Sequence, residues 1–434
     1  MKPFELLRNK AFWSVDAVTG GRKRKHYDEI KFIIENPGSS KSNQLRDSYL
    51  KNIVNHAVNS TDYFKSFKNY TSIEDFHVVN KNIIRDNFKD FQSKKYLDKP
   101  KFVMATSGST GMPFKIYHNS NKRLRNAADT IFFSEKAGFT IGNKLTYFRL
   151  WNAFEKKNKL DRILQNIKPV DVFDLQDESV IKNVLNELSS SSSSNSWLGY
   201  ASAYERICKY LDHTNEYVKP NKLRSSIAMS ERLNDYTKDA MLTHFGADVV
   251  SRYSNIENGI IAQQPLGNKR YFRINDASYY VEILELNTNR RVEDGKPGRI
   301  VITDLFNYYM PMIRYDTGDI GIKGRIGNIP IFKEISGRKY DLIYDTKGNA
   351  ITLNLGLLVN NYPTLKQFQF IQKTPKNYEL RINTDHDFDS EQDFVNDFKT
   401  YLGEDANIKV SYINEIPLLA SGKRRVLINE MFNS

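Results

Sequence analysis

Residues 106–113 read Thr-Ser-Gly-Ser-Thr-Gly-Met-Pro and follow a short apolar run at residues 102–105. Gly108 and Gly111 can adopt positive φ angles, which lets successive backbone N–H groups converge on an anion. The hydroxyl groups of the stretch would add further donors. No Gly-Lys-Ser/Thr follows at the spacing of a Walker P-loop. On its own such a stretch is more often a polar turn between two strands, so a phosphate-binding role needs support from elsewhere in the chain.

The length and composition limit the kinds of protein that this chain can be. A chain of 434 residues is too long for one compact core, so we expect two or three domains. The single cysteine, Cys208, excludes an internal disulfide bond and a thiolate zinc cluster within one chain, which fits a reducing compartment. The N-terminus lacks an apolar stretch of signal-peptide length, and no apolar window of about 18 residues is present. We therefore expect a cytoplasmic protein without a membrane span.

The chain is basic, with 64 Lys and Arg against 51 Asp and Glu and a net charge of +13. Such a charge suits polyanionic partners, namely a nucleotide, coenzyme A, an acidic carrier, nucleic acid or anionic lipid. The lysines, however, are scattered among Asn, Ile and Tyr, and the densest cluster, at residues 22–26, is typical of a solvated face. Since a nucleic-acid site would rest on net charge alone, we expect no nucleic-acid partner.

The order of the sequence patterns predicts an α/β fold. Residues 27–96 show the apolar spacing of helices, and later β-rich runs alternate with helical stretches such as residues 180–188. The six serines at residues 189–194 predict a flexible surface loop. From about residue 337 the chain has β-like runs and one helical segment, residues 390–402, which together have the size of a small α+β domain.

Two segments downstream present a carboxylate near an aromatic residue or a glycine. In residues 252–257 (Arg-Tyr-Ser-Asn-Ile-Glu), Tyr253 could stack on a base while Glu257 ligates Mg²⁺ beside phosphates. In residues 314–319 (Arg-Tyr-Asp-Thr-Gly-Asp), Asp319 could accept hydrogen bonds from both hydroxyl groups of a ribose. Each segment also has a simpler interpretation, an amphipathic strand end for the first and a turn for the second.

Two further segments are basic. Residues 337–341 read Gly-Arg-Lys-Tyr-Asp, where Arg338 could reach ribose or phosphate oxygens or form an ordinary surface ion pair. In residues 417–425 (Pro-Leu-Leu-Ala-Ser-Gly-Lys-Arg-Arg), Lys423 follows a Ser-Gly pair near the C-terminus. A mobile segment there could deliver the ammonium group to developing negative charge. Taken alone, this second segment is a basic tail.

In this order, the five segments together resemble the motifs of the adenylate-forming superfamily, which includes acyl-CoA synthetases and peptide-synthetase adenylation domains. Residues 106–113 match its phosphate-loop motif, and the lysine lies six residues after Pro417, as its C-terminal motif requires. The chain length and the Gly-Lys-x-x-Val ending at residues 422–426 look most like the phenylacetate–CoA ligase branch. Residues 197–202 (Trp-Leu-Gly-Tyr-Ala-Ser) look like the CapK-like sub-branch met in capsular polysaccharide gene clusters. The resemblance spans about residues 100–430.

The resemblance implies two domains and a two-step reaction. A large N-terminal adenylation domain of layered sheets and helices, residues 1–336, would bind ATP and the acid, and a small mobile α+β lid domain, residues 337–434, would carry the catalytic lysine. A small carboxylic acid would attack the α-phosphate of ATP to give an acyl-adenylate and pyrophosphate, and a nucleophile would then displace AMP. Coenzyme A is the acceptor implied by this branch, in which homodimers are common.

The resemblance also implies a role for each matching residue. Lys423 and Glu257 would be the catalytic groups, with Glu257 holding Mg²⁺ and Lys423 bridging carboxylate and phosphate. Rotation of the C-terminal domain would then remove Lys423 from the site for the second step. The phosphates would be held by Ser107, Gly108, Ser109, Thr110 and Gly111. The adenine would lie in a slot lined by Ser230 and Glu231, against the ring of Tyr253, and the ribose would contact Asp319 and Arg338.

Two positions depart from the family pattern. Tyr340 stands two residues after Arg338, where the family usually has Asp or Lys, so we expect the domain rotation to differ in detail. The segment from Tyr253 to Glu257 lacks the glycine that usually follows the aromatic residue. Neither departure removes a catalytic group. For the acid pocket, the expected lining residues are Trp197, Tyr200, Ala228 and Tyr253, which would suit a small or aromatic acid.

The sequence leaves three functions open. The first is an acid–CoA ligase, and the second is a ligase that transfers the acyl group to an amine or hydroxyl acceptor, for instance on a sugar of a surface polysaccharide. The third is a non-catalytic nucleotide-binding relative. Retention of both Glu257 and Lys423 argues against the third, because a protein without catalysis has no use for either group.

Overall fold

A computed structural model gives the structure of the chain. It describes residues 2–105, 114–151, 159–218, 222–267, 269–338, 343–351, 362, 364–384, 388–417 and 425–431. The helices of these residues are α1 (Pro3–Val18), α2 (Arg22–Glu35), α3 (Ser40–Ser60), α4 (Lys81–Asp86), α5 (Ser120–Lys136), α6 (Lys159–Gln165), α7 (Glu178–Ser190), α8 (Ala201–Thr214), α9 (Asp235–Phe245) and α10 (Glu391–Leu402). None of these helices is long and apolar enough to cross a bilayer.

The strands of the same residues divide into a large set and a small set. Up to residue 338 they are β1 (Lys101–Ala105), β2 (Lys115–Asn119), β3 (Lys144–Arg149), β4 (Ile167–Asp171), β5 (Asn195–Tyr200), β6 (Leu223–Met229), β7 (Val249–Asn255), β8 (Gly259–Gln263), β9 (Phe272–Ile274), β10 (Tyr279–Leu284), β11 (Pro297–Asp304), β12 (Tyr315–Ile326) and β13 (Ile329–Arg338). After it they are β14 (Ile343–Tyr344), β15 (Ala350–Ile351), β16 (Gln367–Thr374), β17 (Asn377–Asn383), β18 (Asn407–Tyr412) and β19 (Leu427–Asn429).

Local sequence accounts for the helices that were predicted. At the start of α7 the Asp177 side chain accepts a hydrogen bond from Ser179 N, which satisfies a backbone donor that the helix leaves unpaired. The helix buries one apolar face, made of Ile181, Val184, Leu185 and Leu188. The helix predicted at residues 180–188 is therefore confirmed. The helical character predicted for residues 27–96 is confirmed by α2, α3 and α4.

An eleven-stranded sheet forms the frame of the large domain, in the order β10-β11-β12-β13-β9-β8-β7-β6-β5-β3-β4. Strands β4, β3, β5, β6 and β7 are parallel, whereas β7 and β8 pair antiparallel. Helices α7, α8 and α9 lie between the parallel strands along the chain, as crossover connections require. Strand β7 thus marks the boundary between a parallel half and an antiparallel half. This mixed α/β architecture confirms the predicted fold class.

Three large apolar clusters stabilise these layers. The first packs α3 and the aromatic residues around it against the antiparallel half of the sheet. The second packs α7, α8 and α9 against the parallel half. The third belongs to the C-terminal region, where α10 packs on a four-stranded sheet in the order β18-β17-β16-β19. Because this region has a sheet and a core of its own, it forms a small α+β unit, and its helix at residues 390–402 was predicted correctly.

The serine run differs from the prediction of a flexible surface loop. Residues 189–190 end α7, and Ser194 donates from its backbone N to the Glu5 carboxylate at 2.6 Å and from Oγ at 3.2 Å. Glu5 is buried, with 1% of its surface exposed. A buried carboxylate needs hydrogen-bond donors, and the end of the serine run supplies them. The run therefore ties α1 to the parallel half of the sheet.

Helix α5 is anchored through buried cations. Lys122 Nζ lies 2.6 Å from Asp304 Oδ2, and both side chains are fully buried. One turn later, Arg125 donates from Nε to Ser278 Oγ at 2.9 Å and from a terminal nitrogen to the Ala277 carbonyl at 2.6 Å. A buried charge is tolerated only where it is paired and hydrogen-bonded, so these contacts hold α5 in one position on the antiparallel half.

Candidate active site

The carboxyl ends of three parallel strands meet at one edge of the large sheet. Tyr200 at the end of β5 is in register with Met229 at the end of β6, and Met229 is in register with Arg252 on β7. Ser230 follows Met229 and Tyr253 follows Arg252, so these two residues lie beside each other at this edge. The carboxyl edge of parallel strands is where open α/β sheets bind ligands.

The two residues predicted for the adenine slot differ in their contacts. Ser230 is exposed and has a φ of 68°, a left-handed conformation that turns the chain away from the sheet. Glu231 accepts a hydrogen bond from Ser202 N at 2.9 Å, near the first turn of α8. The position of both residues fits a slot beside Tyr253. The Glu231 carboxylate also has a structural contact, because it satisfies a free backbone donor of α8.

The residues predicted to stack on adenine and to bind ribose contact each other directly. Tyr253 OH donates to Asp319 Oδ2 at 2.6 Å across 66 residues of sequence. Thr317 Oγ1 lies 3.3 Å from the same phenol oxygen. Burial of the ring and the neighbouring Asp319 carboxylate raise the pKa of Tyr253 well above its ordinary value. The phenol is therefore a neutral donor at physiological pH and holds the Asp319 carboxylate in a fixed direction.

Glu257, the predicted metal ligand, lies in a buried cluster of side chains close to Tyr253 and Asp319. The Glu257 side chain is 2% exposed, and its Oε1 accepts a hydrogen bond from Tyr315 OH at 2.7 Å. The ammonium group of Lys81 lies 2.9 Å from the same oxygen. Burial and the Glu257 carboxylate raise the pKa of Tyr315 well above its ordinary value, so this phenol also stays a donor.

His118 fixes the backbone of the same cluster. Its Nε2 lies 2.8 Å from the Glu257 carbonyl oxygen, and since a carbonyl only accepts, the imidazole carries its proton on Nε2. Burial, assisted by the charge of Lys122, lowers the pKa of His118 to about 4. The neutral ring therefore holds Glu257 in place throughout the physiological pH range.

Lys81 is the site residue that sequence reasoning missed. It is the first residue of α4, and Asn80 caps that helix by accepting hydrogen bonds from Asn82 N and Ile83 N, both at 3.0 Å. Val79, two residues earlier, exchanges backbone hydrogen bonds with Arg314 and Asp316, the neighbours of Tyr315. The segment before α4 is thus fixed to the start of β12. Lysines are too common in this chain for Lys81 to stand out, and its partner Glu257 lies 176 positions later.

The donor set fits Mg²⁺ only in the presence of a nucleotide. Among the residues that the structure describes, no group of three or more His, Cys, Asp or Glu side chains could hold a metal ion. Glu257 offers one buried carboxylate, whereas Mg²⁺ prefers one or two carboxylates completed by phosphate oxygens and water. The site is therefore suited to a metal that arrives with phosphates rather than to a resident one.

Several predicted residues lie outside the described part of the chain. These are the phosphate-loop residues 106–113, the departure at Tyr340 and the lysine of the C-terminal motif, Lys423. The backbone of Arg338 is described, and its Cα is in register with Asp319 across β12 and β13. The two residues are thus neighbours on one pair of strands, which is compatible with the prediction that both contact the ribose.

Two residues expected in the acid pocket belong to the core instead. Trp197 is 1% exposed and Ala228 is fully buried, and both lie in the apolar cluster of the parallel half. The Trp197 ring lies 5.9 Å from the Tyr204 ring of α8 in a stacked arrangement. Alternate residues of a strand point to opposite faces, and Trp197 is on the face covered by helix α8. Tyr200 belongs to the same apolar cluster, with 7% of its surface exposed, but like Tyr253 it lies at the carboxyl edge.

Helix α8 joins the candidate site to the C-terminal region. Glu205 Oε1 accepts a hydrogen bond from Gln367 Nε2 at 2.8 Å, and both residues are buried. Lys209 lies 3.2 Å from Glu205 and donates to Asn383 Oδ1 at 3.1 Å. We call these four residues the α8 contact. Gln367 Oε1 also accepts from Ile416 N at 2.8 Å, just before the segment that leads to Lys423.

The chain is similar in sequence and fold to known proteins. Residues 343–430 match the family model described as the CapK C-terminal domain. Along nearly its whole length the chain is similar to Protein CapK of Staphylococcus aureus, with 23% identity over 436 residues that cover 94% of each protein. The CapK-like resemblance inferred from the motifs is thereby confirmed.

Solved structures extend the likeness to the whole fold. A 2-hydroxyisobutyryl-CoA ligase, solved in the postadenylation state with R3-HIB-AMP, has a TM-score of 0.68 at 15% identity, and 90% of each chain is covered. ATP-bound MatB from Rhodopseudomonas palustris has a TM-score of 0.53 at 14% identity, covering 74% of this chain and 66% of MatB. The chain therefore has the fold of adenylate-forming ligases.

Proposed function

We propose that this protein activates a small carboxylic acid with ATP, forming an acyl-adenylate and releasing pyrophosphate. The observation that carries the proposal is the hydrogen bond from Tyr253 to Asp319 at 2.6 Å, beside the buried Glu257 cluster. Three segments that the sequence marks as nucleotide, ribose and metal contacts thus converge at the carboxyl edge of one sheet. Structural neighbours that are acid–CoA ligases support the same reaction class.

Binding of the nucleotide would use contacts that already exist. The Tyr253 ring would lie against adenine, and Asp319 would accept hydrogen bonds from the ribose hydroxyl groups with Arg338 nearby. Because the Tyr253 phenol already orients the Asp319 carboxylate, little rearrangement is needed when the ribose enters. Such preorganisation lowers the entropy cost of aligning two anions for in-line reaction.

Charge at the phosphates would be balanced from two sides. The N–H groups and hydroxyls of residues 107–111 would clamp the β- and γ-phosphates, and Glu257 would supply one oxygen ligand to Mg²⁺. The bound metal would neutralise developing charge on the leaving pyrophosphate. Lys81, 2.9 Å from Glu257, compensates the buried carboxylate and places a second cation at the same point. Tyr315 keeps its hydrogen bond to Glu257 and fixes the direction of the ligand oxygen.

Lys423 would complete the site from the C-terminal domain. Its ammonium group would bridge the acid carboxylate and the α-phosphate, where negative charge accumulates as the new P–O bond forms. For the second step we propose coenzyme A as acceptor, with an amine or hydroxyl group on a sugar as the alternative. The CoA-ligase neighbours support the first of these acceptors.

Acid-dependent ATP–pyrophosphate exchange with a broad panel of acids tests the first step. Release of AMP that requires CoA would support the CoA ligase, and release with an amine or sugar but without CoA would support the alternative. Lys423→Ala should lower the exchange rate by about 10²-fold to 10³-fold while nucleotide binding persists, because the lysine acts chiefly in the transition state.

A matched control is Lys376→Ala, which removes a C-terminal lysine paired with Asp405 on the exposed surface. This variant should exchange pyrophosphate at the rate of the parent protein. Exchange that survives in Lys423→Ala would contradict the lysine assignment. If no acid of the panel drives exchange although ATP binds, the non-catalytic nucleotide-binding relative replaces the proposal.

A further inference from the structure

Helix α1 presents an apolar stripe to solvent. We define the α1 stripe as Phe4, Leu7, Ala11, Val15 and Val18, which recur at intervals of three or four residues and therefore share one helix face. All five are exposed, Phe4 to 76%, Leu7 to 63%, Val15 to 59% and Val18 to 84% of their surface. The buried residues of α1 are instead two acids, Glu5 and Asp16. This is the reverse of the usual arrangement, in which a surface helix buries its apolar stripe.

Within residues 2–25 the charges that meet solvent all have one sign, and the nearest exposed acid beyond them, Asp28, pairs with Arg24 at 3.2 Å. Between residues 2 and 25 the acids are Glu5 and Asp16, which are 1% and 4% exposed. Glu5 accepts hydrogen bonds from Ser194, and Asp16 accepts from the backbone N of Lys23 and Arg24 at 3.2 and 2.8 Å. The cations of the same segment are exposed or half-buried, and they are Lys2, Arg8, Lys10, Arg22, Lys23, Arg24 and Lys25.

The start of α2 packs on the side of α1 that carries Phe12, Trp13 and the buried Asp16, so its cations flank α1 beside the stripe. Gly20 and Gly21, with φ of 102° and 64°, make the tight turn between the two helices. Lys23 Nζ then lies 4.6 Å from the centre of the Phe12 ring, and the Arg24 guanidinium lies 4.8 Å from that of Trp13. These contacts hold the basic start of α2 against the side of α1.

We propose that α1 and the start of α2 form a docking surface for an anionic lipid bilayer. A helix with an exposed apolar face flanked by Lys and Arg lies in the plane of the membrane interface, with its apolar face in the acyl boundary. Phosphate headgroups of anionic lipids complement the cations. Helix α1 has 16 residues and is about 24 Å long, so it lies along the surface and does not cross the bilayer.

A second copy of the chain fits this surface less well. A symmetric dimer would pair the α1 stripe with itself and bring the same seven cations face to face. No exposed acid of residues 2–25 could offset that repulsion. An acidic protein would satisfy the charges, but α1 offers a convex ridge rather than a groove. A lipid surface accepts a convex helix without a matching cavity, so lipid is the occupant that the observations favour.

Co-sedimentation of the full chain with vesicles tests the proposal. We expect binding to phosphatidylcholine vesicles that contain about 30 mol% phosphatidylglycerol and weak binding to pure phosphatidylcholine, with the difference reduced by salt. Leu7→Glu and Val15→Glu should each weaken binding about tenfold or more, because they place a carboxylate on the inserted face. Lys10→Gln and Lys23→Gln should each weaken it about fivefold.

Leu242→Glu is the matched control, since Leu242 is 57% exposed on α9 and far along the chain from the stripe. It should leave vesicle binding unchanged, and circular dichroism should show that all variants are folded. Failure of the parent protein to bind the anionic vesicles would overturn the proposal in favour of an acidic protein partner. A dimer in sedimentation equilibrium that Leu7→Glu dissociates would overturn it in favour of a second copy.

Discussion

The proposed nucleotide end of the site, made of Tyr253, Asp319, Tyr315 and Glu257, and the α8 contact are built in different ways. At the nucleotide end, Tyr253, Asp319, Tyr315 and Glu257 belong to one sheet or its adjoining turns, and their hydrogen bonds of 2.6 and 2.7 Å are internal to the large domain. The α8 contact instead joins α8 to β16 and β17 of the C-terminal domain. It consists of polar side chains.

The difference teaches how binding and catalysis can be separated in one chain. Contacts within a continuous sheet give a fixed, preorganised surface for the nucleotide. A polar contact between domains can be exchanged for water at small net cost, whereas an apolar one could not. We therefore expect substitutions at the nucleotide end to affect binding and chemistry together. Substitutions at the α8 contact should affect chemistry alone.

The largest effect is expected for Glu257→Gln. Loss of the carboxylate removes the proposed oxygen ligand to Mg²⁺ and leaves the Lys81 ammonium group without its 2.9 Å partner. The pyrophosphate exchange rate should fall by about 10²-fold to 10³-fold, and the Mg²⁺ concentration for half-maximal rate should rise. Both values are obtained by measuring the pyrophosphate exchange rate at saturating acid over a range of Mg²⁺ concentrations. Glu293→Gln, an exposed acid of the same domain, is the control that should not change either value.

A smaller effect is expected for Asp319→Asn. The amide can still contact the Tyr253 phenol but loses the charge that would accept from both ribose hydroxyl groups. The Kd for ATP should rise about tenfold to thirtyfold, as for the loss of a charged hydrogen bond. Tyr253→Phe should raise it less than Asp319→Asn, because it removes only the group that orients the carboxylate. An unchanged Kd in both variants would show that the nucleotide binds elsewhere.

Gln367→Ala tests the other side of the comparison. It removes the amide donor of Glu205 and the acceptor of Ile416 N, so the segment leading to Lys423 loses one of its ties. The exchange rate should fall about threefold to tenfold while the Kd for ATP stays within about twofold. A rise in that Kd as large as in Asp319→Asn would break the comparison, since binding and domain contact would then not be separable.

The smallest effect concerns stability against pH. The folded pKa of His118, about 4, lies below that of an exposed imidazole, so the unfolded state takes up a proton first as pH falls. His118 therefore stabilises the fold fully above about pH 6.5, and this contribution is lost between about pH 6.5 and 4. His118→Gln should flatten that part of the urea-unfolding profile. The exposed His213→Gln variant should keep the slope of the parent protein.

Motif spacing brought together in the sequence three residues that the structure also links, and their roles toward a nucleotide stay predictions. Tyr253, Glu257 and Asp319 were each named from a short segment, and the structure shows that hydrogen bonds link Tyr253 to Asp319 and Glu257 to Tyr315. Lys81 could not be predicted, because its role depends on backbone pairing between Val79 and the neighbours of Tyr315. No local pattern records a contact between such distant segments.

The expectations for Trp197 and for the serine run differ from the structure for physical reasons. Trp197 was expected in the acid pocket, yet strand alternation and the helix packed above it place the ring in the core. The serine run was expected to be a free loop, and composition could not show that Glu5, buried in α1, accepts hydrogen bonds from its last residue. In both cases the deciding partner comes from another element, which periodicity within one segment does not reveal.

The buried cations of α5 have a consequence for synthesis of the chain. Lys122 pairs with Asp304 and Arg125 donates to Ala277 and Ser278, all more than 150 residues later, although Arg125 also pairs with the upstream Glu29 at 3.2 Å. An ammonium or guanidinium group inside the protein without those partners would destabilise it by several kcal/mol. Helix α5 must therefore remain solvated on the ribosome until residue 304 has emerged. The nascent large domain stays open until then, and chaperones have that interval in which to bind it.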